Sequence, residues 1–338
     1  MKIHIITVGI LALVLLAAGC TTGPEDSAPV STTSPPQTAA ILVGTPETTT
    51  TEEKTGQPEE NGEPLRFTWT VDSGVRLNDA SIPYLYRLED GRVRMYYNGA
   101  AGILSAISDD GMIFEREAGV RLSPGIGGSP EMTVGDPTIV KQKDGTLRMY
   151  YKGATGSGGP GQAVHSIFSA ISNDGLHFER EGIRIDSQNT PDRGWASVPE
   201  AVLLPDGRVR IYYVSDGEDV RHGIVSAISD DGHLFTREGP VLAGFVDPAI
   251  TILPDGTYLL IASAFPFYQG GRLNDASPGI YSFTSKDGIT FTDRSVILSG
   301  EGNIDPTIIS LGNGNYRIFY WNINDRPSVI RSSSGTLI

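Results

Sequence analysis

Short apolar, Tyr-rich runs with the character of β-strands recur along this chain, set off by Asp-Gly or Asn-Gly turns. The stretch after Pro137 shows the unit. Thr138-Ile139-Val140 predicts a first strand, Asp144-Gly145 a two-residue hairpin turn, and Leu147-Arg148-Met149-Tyr150-Tyr151 a second strand. Residues 167–172 predict a third strand, Asn173-Asp174-Gly175 turns the chain again, and residues 178–185 predict a fourth. No stretch of useful length carries the 3.6-residue period of a helix.

The unit recurs. Pro83, Pro137, Pro199, Pro248 and Pro306 are each followed, seven residues on, by Asp90-Gly91, Asp144-Gly145, Asp206-Gly207, Asp255-Gly256 or Asn313-Gly314. A period of about 50–60 residues holds four short strands, one blade of a β-propeller. A Ser-x-Asp-Gly-x-x-Phe turn closes the third strand at 108–114, 172–178, 229–235 and 285–291. There Gly supplies the turn, Ser or Asp caps it, and Phe fills the space between blades. The fifth unit stops after Ser332-Ser333-Ser334-Gly335 without room for a fourth strand, whereas residues 69–77 align without a gap to residues 114–122. The expected fold is all-β: a five-bladed β-propeller closed by an N-terminal strand that completes the last blade and pairs an otherwise open edge. Residues 153–161 and 265–278 are expected as insertions on the rim, between second and third strands.

The chain before the repeats has a different character. Lys2, an apolar run from Ile5 to Ala18 and Leu16-Ala17-Ala18-Gly19-Cys20 predict a secretory signal over residues 1–20, with a lipobox at whose cysteine the mature chain begins and is acylated. Cys20 is the only cysteine, so no disulfide forms within the chain. Residues 21–64 are rich in Thr, Pro and Glu and poor in large apolar residues, which predicts a disordered tether. The propeller is thus expected over residues 65–338, outside the cytoplasm in the cell envelope, held to the membrane through its lipid only.

Charge narrows the partners. The net charge is −14; eight acids against Lys54 put −7 on the tether, and Lys2 then leaves −8 on residues 65–338. An acidic ring on an acidic tether argues against nucleic acid or an anionic membrane surface as a partner. A monomer is expected, and no cofactor or metal is called for, since no phosphate loop, zinc-spaced cluster or nucleophile elbow is present.

Candidate chemistry lies where the repeat varies. The residues before the repeat prolines are Ile82, Asp136, Val198, Asp247 and Asp305; those after them are Tyr84, Thr138, Glu200, Ala249 and Thr307. They begin the innermost strands and so ring one mouth of the central channel. An Asp before Pro also serves as a turn cap, but a purely structural repeat would keep one residue type, and the third unit moves its acid from before the proline to after it. Arg193-Gly194-Trp195, just upstream, offers an aromatic shelf for a sugar. His165 and His222, ahead of third strands, read as solvated loop residues.

Gly135-Asp136-Pro137 and Val198-Pro199-Glu200-Ala201, within five such units, resemble the furanosidase-type propeller glycoside hydrolases: family 43 (arabinanases and xylosidases), the invertase-like family 32 and the mannoside-phosphorylase-like family 130. The resemblance implies Glu200 as general acid and Asp136 as the carboxylate that orients and tunes it. The family's base belongs on the first blade, where this chain has Ile82; Asp79 is the nearest carboxylate and the candidate for that role. Asp247, Asp305, Trp195 and Arg193 are candidate substrate contacts. Such a set suits glycosidic cleavage, which needs one protonated and one ionised carboxyl flanking the bond. The implied partner is a glycan or small carbohydrate, cleaved or phosphorolysed. The alternative is a non-catalytic surface propeller that binds a glycan or a protein.

Overall fold

A computed structural model describes residues 65–268 and 271–338; the signal, Cys20 and the tether lie outside the described residues. Five antiparallel blades follow one another. Blade 1 comprises Ser81–Arg87, Val93–Gly99, Gly102–Ser108 and Glu115–Arg116. Blade 2 comprises Thr133–Lys141, Leu147–Ala154, His165–Ser172 and Glu179–Ile185. Blade 3 is built from Ala196–Leu203, Val209–Ser215, Gly223–Ser229 and Thr236–Ala243, and blade 4 from Phe245–Ile252, Tyr258–Ala264, Gly279–Ser285 and Thr292–Ser299. Blade 5 takes Asn303–Gly312, Asn315–Asn322 and Val329–Leu337 from the chain's end and Phe67–Val71 from its start.

The ring closes as the gapless alignment requires. Trp69 pairs with Gly335 and Val71 with Ser333, and Leu77–Asn78 add a short second contact on Val329 and Ile330. The Trp69 indole lies over Gly335, where a Cβ would sit 2.5 Å from the ring. Asp72 then accepts hydrogen bonds from Ser332 Oγ (2.6 Å) and Ser334 Oγ (2.8 Å) and pairs with Arg317 at 3.3 Å.

That ion pair is the last copy of a repeated latch. Arg94–Glu117, Arg148–Glu181 and Arg210–Glu238 tie the second strand to the fourth, or in blade 1 to the residue just after it, at 2.8 Å in blades 1, 2 and 3. Each of the four arginines also donates to a carbonyl in the next blade's turn: Asp174, Asp231, Asp287 and, across the closure, Gly111. Tyr96, Tyr150 and Tyr212 do the same, with O–H groups 2.7–2.8 Å from the carbonyls of Gly175, Gly232 and Gly288. These glycines sit at φ of 72–73°, and a Cβ on any of them would meet the tyrosine oxygen at under 3 Å.

Five apolar clusters, one per blade junction, make up the core. Tyr97, Tyr151, Tyr213 and Tyr320 each pack there against the preceding blade. The turn motif behaves as its residues predict. Ser108 Oγ accepts from Gly111 N, Asp110 Oδ1 accepts from Met112 N and Ile113 N, and Phe114 meets Phe319 edge-on at 5.9 Å.

Candidate active site

Inner strands begin at the channel mouth, so second strands end there and third strands start there. The links from fourth strand to next first strand lie on the same face. Every inner strand carries a bulge at its proline, with a register shift across it. The residue before the proline is left-handed in all five blades: Ile82 at φ 51°, Asp136 at 55°, Val198 at 49°, Asp247 at 55° and Asp305 at 49°. Non-glycine residues seldom adopt this conformation, and β-branched ones least of all. Such strain costs on the order of 1–3 kcal/mol per residue and persists only where the surroundings impose it. Here the bulge re-aims the side chain into the mouth.

Asp136, Asp247 and Asp305 are thereby brought together and buried. Asp305 N donates to Asp247 Oδ2 at 3.3 Å, joining blades 4 and 5. Trp321 Nε1 donates to Asp305 Oδ2 at 2.6 Å. Lys152 Nζ pairs with Asp136 Oδ2 at 2.8 Å, while Asn98 Nδ2 donates to Asp136 Oδ1 at 3.2 Å and Asn98 Oδ1 accepts from Asp136 N. Burial holds Asp247 and Asp305 above the usual carboxylate range, and repulsion from neighbouring aspartates adds to it. The pair therefore titrates as a unit that keeps a proton into the weakly acidic range.

Asn98, Lys152, Ser263 and Trp321 were missed by the sequence reading, yet they occupy one repeat position at the end of each second strand, with Val214 as the blade 3 member. That position varies beside a Tyr that recurs in four blades, the same signal that marked the acids.

Glu200 lines the same narrow proline-lined channel as Asp136 and Asp305, and also borders a wider cavity of about 390 Å³ with Tyr84, Ile139, Val202, Ile250 and Ile308. Its Oε1 accepts from Ile250 N at 3.4 Å. Burial pushes its carboxyl up to about 8, opposed by that N–H and by the Thr138 hydroxyl, with no contribution from the mouth aspartates. Asp79 is exposed in a rim depression with Ser81, Asn98 and Ser328, so Asn98 stands between it and Asp136. Arg193 is exposed and pairs with Glu218 at 3.4 Å.

The two histidines are not solvated, contrary to expectation. His165 is buried and stacks on Trp195 with centroids 3.7 Å apart, and its Nδ1 lies 3.2 Å from Ser197 Oγ. Burial, reinforced by the Lys152 charge, pushes its imidazole down to about 4. His222 stacks on Tyr268 at 4.0 Å, and burial lowers its pKa as well. The reason is topological: third strands start inside the wall of the mouth, where His165 lies against Trp195 at the entry to blade 3 and His222 against the blade 4 insertion. Trp195 thus offers at most one open face to a sugar.

No protein-family profile and no curated protein matches this sequence. Solved structures do match in fold. The RGII complex of BT0996 superposes with a TM-score of 0.63 at 17% identity, covering 78% of this chain and 91% of that protein. Zg3597, a family 117 glycoside hydrolase of Zobellia galactanivorans, gives 0.59 at 17% identity over 80% and 90%. The α-L-arabinofuranosidase of Lactobacillus brevis gives 0.58 at 12% identity over 76% and 91%. The chain therefore has the five-bladed propeller fold found in glycoside hydrolases.

Proposed function

We propose that this protein acts on glycans as a glycoside hydrolase whose reacting groups are the mouth aspartates. The observation that carries the reading is the convergence of three buried carboxylates from blades 2, 4 and 5 on one opening, with Lys152 as the paired cation. Burial, with repulsion from the neighbouring aspartates added, favours a protonated carboxyl in this cluster, the state a proton donor to a glycosidic oxygen needs. The Asp247–Asp305 pair is that donor. Asp136, approaching from blade 2, carries the negative charge that supports the oxocarbenium-like transition state. Glu200, in the channel, takes no part in proton transfer on this reading. The solved hydrolases of the same fold support the substrate class.

The test is turnover of arabino-, xylo-, fructo- and mannosides by wild type, Asp305→Asn, Asp247→Asn and Glu200→Gln. Each Asn variant should lose about 10²–10⁴-fold on substrates with poor leaving groups and less on aryl glycosides, because donated protons matter most for basic leaving oxygens. Loss in Glu200→Gln with both Asn variants intact would move the donor to Glu200. Binding of oligosaccharides without any turnover would favour a non-catalytic propeller, the reading that Ile82 in place of a blade 1 acid supports.

We further propose that acylation of Cys20 anchors the protein on the outer side of the cytoplasmic membrane. Wild type should fractionate with membranes and Cys20→Ala should not; identical soluble behaviour of the two would refute the anchor.

A further inference from the structure

Blade 3 differs from the other four at the mouth. Its ring residue is Val198 and its second-strand residue is Val214, so both positions that carry polar groups in blades 2, 4 and 5 are apolar here. Imidazole–aromatic pairs stand on either side. His165 and His222 occupy the same repeat position in blades 2 and 3, a position filled by Ala101, Pro278 and Ser328 in the others. His165 stacks on Trp195, which leads into the blade 3 inner strand. His222 stacks on Tyr268, with interplanar angle 9°, and meets Phe265 at 5.1 Å, both from the blade 4 insertion.

Two nitrogens in these walls have no partner. Trp195 Nε1 and His222 Nδ1 are buried without a hydrogen bond, although buried polar groups of this kind are nearly always satisfied. His222 is also left-handed at φ 49°, with its N–H donating to Asp216 Oδ1 at 3.2 Å. Phe265 stays 39% exposed, an aromatic face open to solvent beside them. Its N–H bonds the Gly244 carbonyl at 3.1 Å. Gly244 precedes Asp247 by three residues, about 10 Å along an extended strand.

We propose that blade 3 is the floor of an oligosaccharide groove whose far wall is His222, Tyr268 and Phe265, so that the protein takes a glycan chain rather than a free monosaccharide. The inference rests on the hydrolase reading and adds the size of its substrate. The exposed Phe265 ring and the part-exposed Val198 suit the C–H faces of sugar rings, and the part-exposed Asp216 carboxylate suits a hydroxyl group. Burial disfavours a charge on both imidazoles, and the cation on the far wall is Arg221, whose Nη2 donates to the Tyr268 carbonyl at 3.4 Å. A chain reaching from the mouth aspartates to Phe265 must span more than one sugar residue.

The experiment compares kcat/KM for 4-nitrophenyl monoglycosides and for arabino-, xylo-, fructo- and manno-oligosaccharides in wild type, Phe265→Ala and Phe265→Tyr. Phe265→Ala should lose on the order of tenfold more on the oligosaccharide than on the aryl monoglycoside of the same sugar, the size expected for one stacking contact. Phe265→Tyr should recover it. Equal losses on both substrates would overturn the groove. If no substrate is turned over, the hydrolase reading fails and calorimetry with the same oligosaccharides decides the groove by itself. Binding weakened in Phe265→Ala but not in Phe265→Tyr supports it. No binding by wild type, or equal binding by Phe265→Ala, overturns it.

Discussion

Glu200→Gln should make the propeller markedly more stable at alkaline pH and leave it unchanged in acid. The carboxyl titrates near 4.5 when the chain is unfolded and about 8 when folded, because burial disfavours its charge. Between those values the folded state holds a proton that the unfolded state has released. Stability is therefore full below about pH 4.5 and falls as pH rises toward 8. At 1.36 kcal/mol per unit the loss reaches about 3 kcal/mol by pH 7 and between 4 and 5 above pH 8. This is a large share of the 5–15 kcal/mol typical of a folded domain. Gln has nearly the same shape, its amide oxygen still accepts from Ile250 N, and it does not ionise. Urea unfolding at intervals from pH 4.5 to 8.5 supplies the assay, with the stability difference between variant and wild type as the readout. The Asp247–Asp305 pair slopes in the same direction but is present in both proteins and cancels. The difference should be near zero at pH 4.5 and grow through neutrality. Parallel curves would refute the burial argument, and with it the placement of Glu200 in the channel.

If the aspartate pair is the donor, the alkaline limb of kcat/KM should lie above the ordinary carboxylate range, and Asp247→Asn should move it to lower pH by removing the repulsion that helps raise Asp305. A midpoint unmoved in Asp247→Asn would count against the pair. Removing residues 1–64 should leave thermal stability almost unchanged, whereas removing residues 1–77 should lower it sharply, since the fourth strand of blade 5 and the Asp72–Arg317 pair go with it. Equal melting temperatures for the two truncations would refute the closure. Asp72→Asn, which leaves that strand in place, should cost about 2–3 kcal/mol through the two serine hydrogen bonds and the ion pair, read from urea unfolding.

The scaffold was legible because its signals are local and repeated. Each hairpin turn fixes the register of the strands around it, and five copies of one turn leave little choice of architecture. Even the closure was readable, since residues 69–77 keep the pattern of a fourth strand, including Asp72 where the other blades have Glu117, Glu181 and Glu238. The bulges were not readable. Ile82 and Val198 are among the residues least suited to positive φ, so nothing local predicts the left-handed turn that aims this position at the mouth. Across the blade 3 bulge pairing resumes at Glu200 and Tyr212, and the buried Glu200 carboxyl lines the proline-walled channel together with Asp136 and Asp305.

Departures from the repeat fall into two kinds, and the difference between them locates chemistry. In blade 4 the latch is gone at both ends together: Leu259 replaces the arginine and Arg294 the glutamate, so no charge is left uncompensated, and Arg294 pairs with Asp275 instead. A loss matched at both partners preserves the fold and needs no further cause. At the mouth the departures are not matched in this way. Three blades place an acid on a strained bulge, three second strands supply Asn98, Lys152 and Trp321 to hold two of those acids, and blade 3 is apolar at both positions between two histidine-bearing walls. Propeller geometry would be served as well by five identical positions. Buried carboxylates whose charges repel, each held in a costly backbone conformation, lower stability. A set of residues that costs stability and does not help close the ring is where a bound substrate has the most to gain.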